Sequence, residues 1–545
     1  MQNIQYLKNL LLNKESSKII YVFIIAFIFT YFWYLPYRQI IPYGDDLRMI
    51  LGFTNHPLGS FVSSGFAFPG LYINYRPVLN IALYTLASIF RFNMLGYYIV
   101  NIALHSLIVC LLYKKVSEIA TNKIVGVIIA AIFSISNLSL YSIVQVEGFM
   151  ELMCTFLVLM FISSLYDIMH SPQPRKNREF YKAIIILTIL IFTHERFVTL
   201  TIPLILVLFI DSKLFISGKQ FTLFLLLCWL PGIVNFLIKR AINIPFFMGT
   251  GGRAMAFEPI TGIRHIFYHI AYMFGLHPNH SAYLNGITRR YVYSNVNFMI
   301  FLSILSVTIM FIVYFYIYTC NKKSSDEVKQ SLLFAIVCLV AVGSMIASSS
   351  FTIRVEQRWV QAPYLAALFL LSYMVKFNLE FFSLPAKKKN RKVKARAGKT
   401  KLNTGNATKT AIFACLLLYL IATFSYSVFY RRHFENIFFF GWHNNARIIH
   451  EEILTQFRDE IPHASTVVID RHGLFLNEYE RYTYALLYLI YGENWRNLCF
   501  TAVYSIEDID FTALENPLLL LQYDYHMGTF VAAANPLASN EPAGN

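Results

Sequence analysis

Long apolar segments recur along the whole chain, and each is close to the length that a helix needs to cross a bilayer. A transmembrane helix requires about 20 apolar residues, with a tolerated range of about 17–25. Only 14% of the 545 residues are charged, against about 25% in soluble domains, which excludes a fold exposed to water on every side. The runs predict an α-helical polytopic membrane protein with about eleven transmembrane helices. They cover residues 19–41, 94–113, 123–141, 150–168, 182–193, 198–216, 221–238, 293–319, 328–348, 359–377 and 410–429.

Two of these runs need interpretation. The run at 182–193 is short for a span, and we extend it to Phe180 because the alternation of sides along the chain requires a crossing there. The first run follows Lys8, Lys14 and Lys18, is longer than the apolar core of a signal peptide, and precedes no small-residue cleavage site. We therefore interpret it as a retained transmembrane helix.

Basic residues cluster in alternate connections between the apolar runs. The chain carries 46 Lys and Arg against 30 Asp and Glu, a net charge of +16. With the N-terminus in the cytoplasm, the basic clusters at 114–115, 175–178, 322–323 and 387–401 all fall on the inner side, which is the positive-inside pattern. This predicts a multi-pass protein of the cell (plasma or inner) membrane, with its N-terminus cytoplasmic and its C-terminus extracytoplasmic. The lipid bilayer accounts for the basicity, so no nucleic-acid partner is expected.

The chain divides after the last apolar run. Residues 1–429 form the predicted transmembrane domain, and residues 430–545 a small extracytoplasmic C-terminal domain. In the latter, apolar runs at 466–469 and 518–521 alternate with charged stretches, a pattern typical of a small α/β domain, and a polar tail follows. Cys499 is the only cysteine of this region, so the region cannot form an internal disulfide.

The first outer loop, residues 42–93, holds the most distinctive polar feature. Asp45 and Asp46 follow the outer end of the first span, and two adjacent carboxylates there can supply a general base and a ligand for an acceptor or a metal. Gly-Asp-Asp is also common turn and helix-capping chemistry, so the pair alone leaves both readings open. Later in the loop, Arg76 to Arg91 predicts a helix lying at the membrane interface, with Pro77 in its first turn.

Two further outer junctions combine Arg with Glu. His194, Glu195 and Arg196 follow the fifth predicted span, where ionisable residues are costly and usually have partners. Arg354, Glu356 and Arg358 precede the tenth span. Guanidinium groups bind phosphate in two-pronged geometry, so both segments are candidates for a phosphate site. Surface charges that reach water are the alternative.

Glu147 and Glu151, at the outer start of the fourth span, have the spacing that places two carboxylates on one helical face. His265 and His269 share that spacing, but without a nearby cysteine or carboxylate they favour packing over metal binding. No cofactor is indicated with certainty, and a divalent metal at the carboxylates stays open. No phosphate-binding glycine loop, serine-hydrolase elbow or HExxH motif stands out.

The order of these motifs resembles the GT-C protein O-mannosyltransferases, most closely the membrane part of their transmembrane-and-tetratricopeptide-repeat branch. The acidic pair is followed by Tyr75-Arg76-Pro77 and then by GYYIVNIALH at 96–105. That family has a Phe-Asp-Asp-type pair, a Tyr-Arg-Pro-Leu segment and a Gly-Tyr-His-xxx-Asn-xxxx-His run in the same order. The resemblance continues at 194–203 and ends at 356–363, so it covers roughly residues 40–365.

The resemblance implies a GT-C-like fold and transfer of a sugar, with inversion, from a polyprenyl-phosphate donor to a hydroxyl acceptor (glycan, lipid or protein). Asp45 would be the base that deprotonates the acceptor, and Asp46 would orient the acceptor or a metal. Arg196, Arg354 and Arg358 would neutralise the departing phosphate, because preorganised cations stabilise developing negative charge. This chain lacks the tetratricopeptide repeats, has Ser139-Leu140-Tyr141 in place of a His-Thr-Glu-like segment, and has His194 in place of Lys. The sugar and the acceptor are therefore left open.

Three other classes compete with this interpretation. A transporter or flippase for a lipid-linked glycan would favour internal repeats and charges at the middle of the membrane, whereas the charges here lie at the outer ends of spans. A lipid-glycan polymerase or ligase would use outer Arg residues but gives no reason for the acidic pair. A membrane scaffold would act through the C-terminal domain.

Overall fold

A computed structural model describes the chain over most of the membrane part and over parts of the C-terminal region. The described residues are 14–39, 42, 44–66, 75–172, 175–210, 218–243, 259–274, 303–312, 314, 326–351, 355–383, 404–432, 451, 455–461, 466–470, 499–503, 518–524 and 529–533. Arg354 and the basic segment at 387–401 lie outside them.

Helices dominate the described part of the chain. In chain order they are α1 Lys14–Tyr34, α2 Gly44–Thr54, α3 Leu58–Ser63, α4 Pro77–Phe90, α5 Met94–Ala120, α6 Lys123–Ile135, α7 Leu140–Val144, α8 Gly148–His170, α9 Arg175–Thr193, α10 Thr201–Ile210, α11 Gly218–Ala241, α12 Pro259–Met273, α13 Ser303–Ile312, α14 Asp326–Ser350, α15 Gln361–Ser383 and α16 Thr404–Arg432. Short 3₁₀ turns at Asn137–Ser139, Glu195–Leu200 and Gln357–Val360 lead into α7, α10 and α15.

Seven helices of the described residues are long and apolar enough to cross a membrane. The candidate spans, which include adjoining 3₁₀ turns, are Lys18–Tyr37, Met94–Ala120, Gly148–His170, Gly218–Ala241, Leu332–Ser350, Gln357–Leu379 and Lys409–Phe429. The bent pair Lys123–Ile135 and Asn137–Val144, with a 52° change of direction, makes an eighth if it is one span. The predicted α-helical, multi-pass architecture is confirmed at this level.

The expected count of about eleven spans is not reached by the described helices. The three remaining apolar runs coincide with α9, α10 and α13. Helix α9 carries several charged residues in its first half, whereas the described parts of α10 and α13 are too short to cross a bilayer alone. Helix α4 lies where the interfacial helix was predicted, and it too is shorter than a span.

The most enclosed helices are α8 and α15, whereas α1 and α11 are largely exposed. Their exposed faces are apolar, with Tyr21, Ile25 and Phe32 on α1 and Leu226 and Leu237 on α11. A contiguous apolar exterior of this kind is unusual for a protein surrounded by water and is typical of lipid-facing helices. The bundle therefore has a buried helical centre and an apolar outer wall.

The C-terminal region contains a four-stranded sheet in the order β2-β1-β3-β4, formed by β1 Thr466–Asp470, β2 Cys499–Val503, β3 Leu518–Asp524 and β4 Thr529–Ala533. The two apolar runs singled out in the sequence lie in β1 and β3, which pair in parallel. Strand β2 is also parallel to β1, and β4 pairs antiparallel with β3.

Candidate functional site

The described acidic and basic residues of the predicted outer junctions meet at one end of the helical bundle. They come from the segment after α1, the N-terminus of α4, the turn before α8, the end of α9 and the turn before α15. Most are buried and the others are partly buried. Burying charge is costly unless it is paired and hydrogen-bonded, so the pairing of each group decides what this cluster can do.

Arg76 and Glu195 form a two-pronged ion pair. Arg76 Nε donates to Glu195 Oε2 at 3.0 Å and Nη2 donates to Oε1 at 3.1 Å. Lys239, in the last turn of α11, brings its Nζ to 3.6 Å from Oε2. Burial alone would raise the pKa of Glu195, but the Arg76 and Lys239 cations hold that pKa well below its ordinary value. Glu195 is therefore an ionised buried anion.

His194 caps the 3₁₀ turn that carries Glu195 and Arg196. Its Nδ1 accepts a hydrogen bond from the Arg196 backbone N–H at 3.3 Å. Burial, followed by the nearby Arg76 cation, lowers the pKa of His194 well below its ordinary value. The imidazole is therefore neutral around neutral pH and positions the following residues rather than contributing charge.

A second ion pair joins Arg196 to Glu151 on α8. Arg196 Nη2 donates to Glu151 Oε2, and both side chains are buried. Arg196 Nη1 and Glu151 Oε1 are also buried, and within the described part of the molecule neither has a hydrogen-bond partner. Each residue thus keeps one unused hydrogen-bonding atom beside the pair.

Arg358 is held by three oxygen-bearing side chains. Its Nε donates to Glu356, and its Nη1 donates to Glu147 Oε2 at 2.9 Å and to the Tyr141 hydroxyl at 2.6 Å. The Tyr141 hydroxyl in turn donates to Glu147 Oε2 at 2.9 Å. Burial would raise the pKa of Glu147, but the Arg358 charge and these hydrogen bonds hold it below its ordinary value. Tyr141 is therefore part of the cluster.

Positive and negative charges balance in the cluster. Each Arg proposed for phosphate binding that the structure describes already contacts a carboxylate. Counted over the described side chains joined by these ion pairs, four cations face four glutamates: Arg76, Arg196, Arg358 and Lys239 against Glu147, Glu151, Glu195 and Glu356. Pairing fixes the guanidinium groups in place, which a preorganised anion site requires. Arg354 lies outside the described residues.

Asp46 binds the backbone just before α8. Its Oδ2 accepts from the Val146 N–H and its Oδ1 from the Glu147 N–H, both at 2.8 Å. These amides precede the N-terminus of a helix, where a carboxylate is favourable. Asp46 thus links α2 to the turn that carries Glu147. Asp45, its neighbour, is only half-buried and can be approached from outside.

Asp46 gives the protein a predicted pH dependence. Burial raises its pKa to about 8, against two backbone hydrogen bonds that favour the ionised form. In the unfolded state the Asp46 carboxyl has its ordinary pKa of 3.8, so the folded state holds the proton more tightly. The free energy of unfolding therefore decreases as pH rises from 3.8 to about 8. The slope approaches about 1.4 kcal/mol per pH unit. Thermal unfolding at pH 6, 7 and 8 should show this loss in the parent and not in Asp46→Asn. Equal slopes in both proteins would contradict the assignment.

Gly148, the first residue of α8, has no room for a side chain. An added Cβ would lie 2.5 Å from the Ser142 carbonyl oxygen and 2.6 Å from its Cα, both backbone atoms that cannot rotate away. We expect Gly148→Ala to destabilise the protein by about 1–3 kcal/mol and to displace Glu147 from Arg358. Gly343→Ala is the matched control, because that helical glycine has open space around it and alanine favours a helix. A Gly148→Ala protein as stable as Gly343→Ala in thermal unfolding would refute this.

His265 and His269, one helical turn apart on α12, contact the end of α14. His265 Nδ1 lies 3.0 Å from the Ser350 carbonyl oxygen, and His269 Nδ1 lies 2.9 Å from the Ser350 hydroxyl. They therefore pack two helices together. Within the described residues, no group of three or more His, Cys, Asp or Glu side chains is placed to hold a metal ion.

Sequence reasoning missed two members of the cluster, Lys239 and Tyr141. Lys239 was visible as a basic residue that ends a predicted span, but such residues usually reach the membrane surface. Tyr141 was visible only as part of the Ser139-Leu140-Tyr141 segment. Comparison with known proteins adds no assignment: no known family matches the chain, and no curated protein matches it.

Proposed function

We propose that the protein is a membrane glycosyltransferase that moves a sugar from a polyprenyl-phosphate donor to a hydroxyl acceptor on the extracytoplasmic face, with inversion at the anomeric carbon. The proposed architecture is GT-C-like with about eleven transmembrane helices. Its N-terminus lies in the cytoplasm and its C-terminal domain outside the plasma or inner membrane. The positive-inside distribution of Lys and Arg supports this orientation.

The observation that carries the proposal is the convergence of the acidic pair with the Arg–Glu cluster. Asp46 contacts the backbone of Glu147, and Glu147 contacts Arg358, so the two groups share one turn. Ionisable residues at the ends of membrane helices are costly, and such residues usually mark functional sites. A base beside fixed cations is what transfer from a phosphate leaving group requires.

Each group has a definite role in the proposed mechanism. Asp45 takes the proton of the acceptor hydroxyl as the oxygen attacks the anomeric carbon. The bond from that carbon to the phosphate oxygen breaks, and the electron pair leaves with the lipid phosphate. Arg196, whose Nη1 has no partner among the described residues, donates to a phosphate oxygen, and Arg358 supplies positive charge beside it. Asp46 positions the turn rather than reacting.

The experiment that tests the proposal measures release of polyprenyl phosphate and formation of glycoside by purified protein in lipid nanodiscs. Synthetic short-chain polyprenyl-phosphate sugars that differ in the sugar serve as donors, and a membrane extract supplies acceptors. Sugar-dependent glycoside formation supports the proposal. A flippase would instead move donor across sealed vesicles without releasing polyprenyl phosphate, and that result would reject the glycosyltransferase.

A further inference from the structure

An apolar groove runs between α8 and α9, on the exterior of the bundle. It has a volume of about 440 Å³, within the range of about 300–1,000 Å³ typical of small-molecule sites. Its walls include Leu157 and Met160 from α8 and Tyr181, Ile185 and Ile186 from α9. Tyr181 and Ile185 are exposed, so the groove opens towards the membrane rather than into the protein.

The charged residues of the groove line the half nearest to the start of α9. Arg178 and Lys182, on the first two turns of α9, belong to its lining, and no carboxylate does. Both cations contact the buried Glu179: Lys182 Nζ lies 3.1 Å from one carboxylate oxygen and Arg178 Nη2 lies 3.4 Å from the other. Two cations share one anion, so one positive charge remains. Most of the N–H donors of Arg178 and Lys182 do not contact Glu179 and can donate to a ligand.

The length of the groove matches one leaflet of a bilayer. From Arg178 to Ile186 the helix rises about 12 Å, at about 1.5 Å per residue. Half of the hydrocarbon core of a bilayer is about 15 Å. The groove therefore extends from the depth of the headgroups towards the middle of the membrane, as an acyl chain of one leaflet does.

We propose that this groove binds an anionic phospholipid. One acyl chain lies between α8 and α9, and the headgroup phosphate contacts Arg178 and Lys182. The charge is complementary, because a phosphodiester with one net negative charge meets a site with one net positive charge. Rigid aromatic packing supports the wall, since Phe180 stacks on Phe224 of α11 with ring centroids 4.4 Å apart.

This site is separate from the Arg–Glu cluster. Arg178 lies in the first turn of α9 and His194 follows the end of that helix, so the two sites lie about 24 Å apart along one helix. The lipid would stabilise α9, which carries Glu195 at its far end. The inference does not depend on the glycosyltransferase proposal, because it concerns binding and stability rather than transfer.

The test uses full-length protein in an uncharged detergent, with phosphatidylglycerol and phosphatidylcholine as probes and native mass spectrometry as the readout. The parent should retain phosphatidylglycerol selectively. Arg178→Gln/Lys182→Gln should retain it roughly ten- to thirtyfold less, the effect of two basic residues on an anionic lipid. The matched control is Lys123→Gln/Lys219→Gln, which removes equal charge from exposed lysines where α6 and α11 begin. It should behave as the parent.

A second variant tests the apolar part of the site. Ile185→Trp should fill the groove and reduce retention of phosphatidylglycerol while leaving both cations in place. The proposal is overturned if either the Arg178/Lys182 variant or Ile185→Trp retains phosphatidylglycerol as well as the control. It is equally overturned if the parent does not distinguish the two lipids. If the Arg178/Lys182 double variant does not fold, the proposal is tested by the retention of phosphatidylglycerol in Ile185→Trp and by the lipid preference of the parent.

Discussion

Glu195→Gln is expected to lower the free energy of unfolding by about 3–5 kcal/mol, the cost of breaking a buried ion pair from one side. The Glu195 side chain is 3% exposed and accepts two hydrogen bonds from Arg76, while Lys239, 1% exposed, lies 3.6 Å away. An amide cannot balance either cation. The carboxylate contribution is present above the unfolded pKa of 4.5 and is lost only as pH falls through the depressed folded pKa, so the effect should be complete at pH 7.

A double-mutant cycle separates loss of the ion pair from general disruption. Arg76→Gln/Glu195→Gln should be more stable than Glu195→Gln, because the second change removes a cation that the first left unbalanced. Lys182→Gln is the control, because Lys182 is partly exposed and its partner Glu179 keeps a second cation, Arg178; it should change stability by about 0–1 kcal/mol. Unfolding by denaturing detergent gives these differences. Strictly additive losses, or a Glu195→Gln protein as stable as the parent, would show that the pair contributes little.

The balance of charge in the cluster has a consequence for function. Because every described Arg there is paired with a carboxylate, the protein alone is electrically satisfied and can fold without ligand. An arriving phosphate then meets guanidinium groups whose positions are already fixed, and little reorganisation is needed. Among the described residues the Nη1 of Arg196 has no hydrogen-bond partner, so in the proposed mechanism it can donate to the phosphate without breaking the pair with Glu151.

The lengths of the apolar runs in the sequence predicted most of the helices, because a bilayer permits few alternatives to a helix for an apolar segment. These lengths did not separate complete spans from shorter helices. Helix α9 carries several charged residues in its first half, and α6 bends before α7, which no apolar count reveals. The strands at 466–469 and 518–521 were visible as short apolar runs, but their parallel pairing depends on tertiary contacts.

The outer junctions predicted which residues meet, since helix ends on one side of a membrane lie at the same depth. They did not predict partners. Arg76 was expected to begin an interfacial helix and to support the site, but its partner was not named, and it binds Glu195 from a distant junction. Asp46 was expected to contact acceptor or metal, yet its oxygens bind the amides of Val146 and Glu147. Such pairings depend on helix rotation and on side-chain reach, which the sequence does not specify.

In the proposed mechanism, Asp45 and Asp46 therefore have different functions. Adjacent residues on a helix point in directions about 100° apart, so one carboxylate of α2 is buried against the turn before α8 while the other is half-buried. A general base must be reachable by the acceptor, and Asp45 meets that requirement better than Asp46 does. Substituting the two residues separately should give different results.

Asp45→Asn is expected to reduce sugar transfer about 100- to 10,000-fold, because the amide cannot accept the acceptor proton. Its thermal unfolding should match that of the parent, since the hydrogen bonds before α8 come from Asp46. Above about pH 8, where the Asp46 carboxylate of the parent is ionised, Asp46→Asn should instead lose stability and activity together, because an amide can accept from only one of the two backbone N–H groups and leaves the other buried without a partner. Asp167→Asn, which removes a carboxylate from the Lys115 pair on the opposite end of α8, is the control for a generic loss of charge. Release of polyprenyl phosphate from the donor that the parent uses gives the rates. Near-parent turnover by Asp45→Asn would remove Asp45 as the base, even where the parent transfers sugar, and the search would then turn to Glu147 or Glu151.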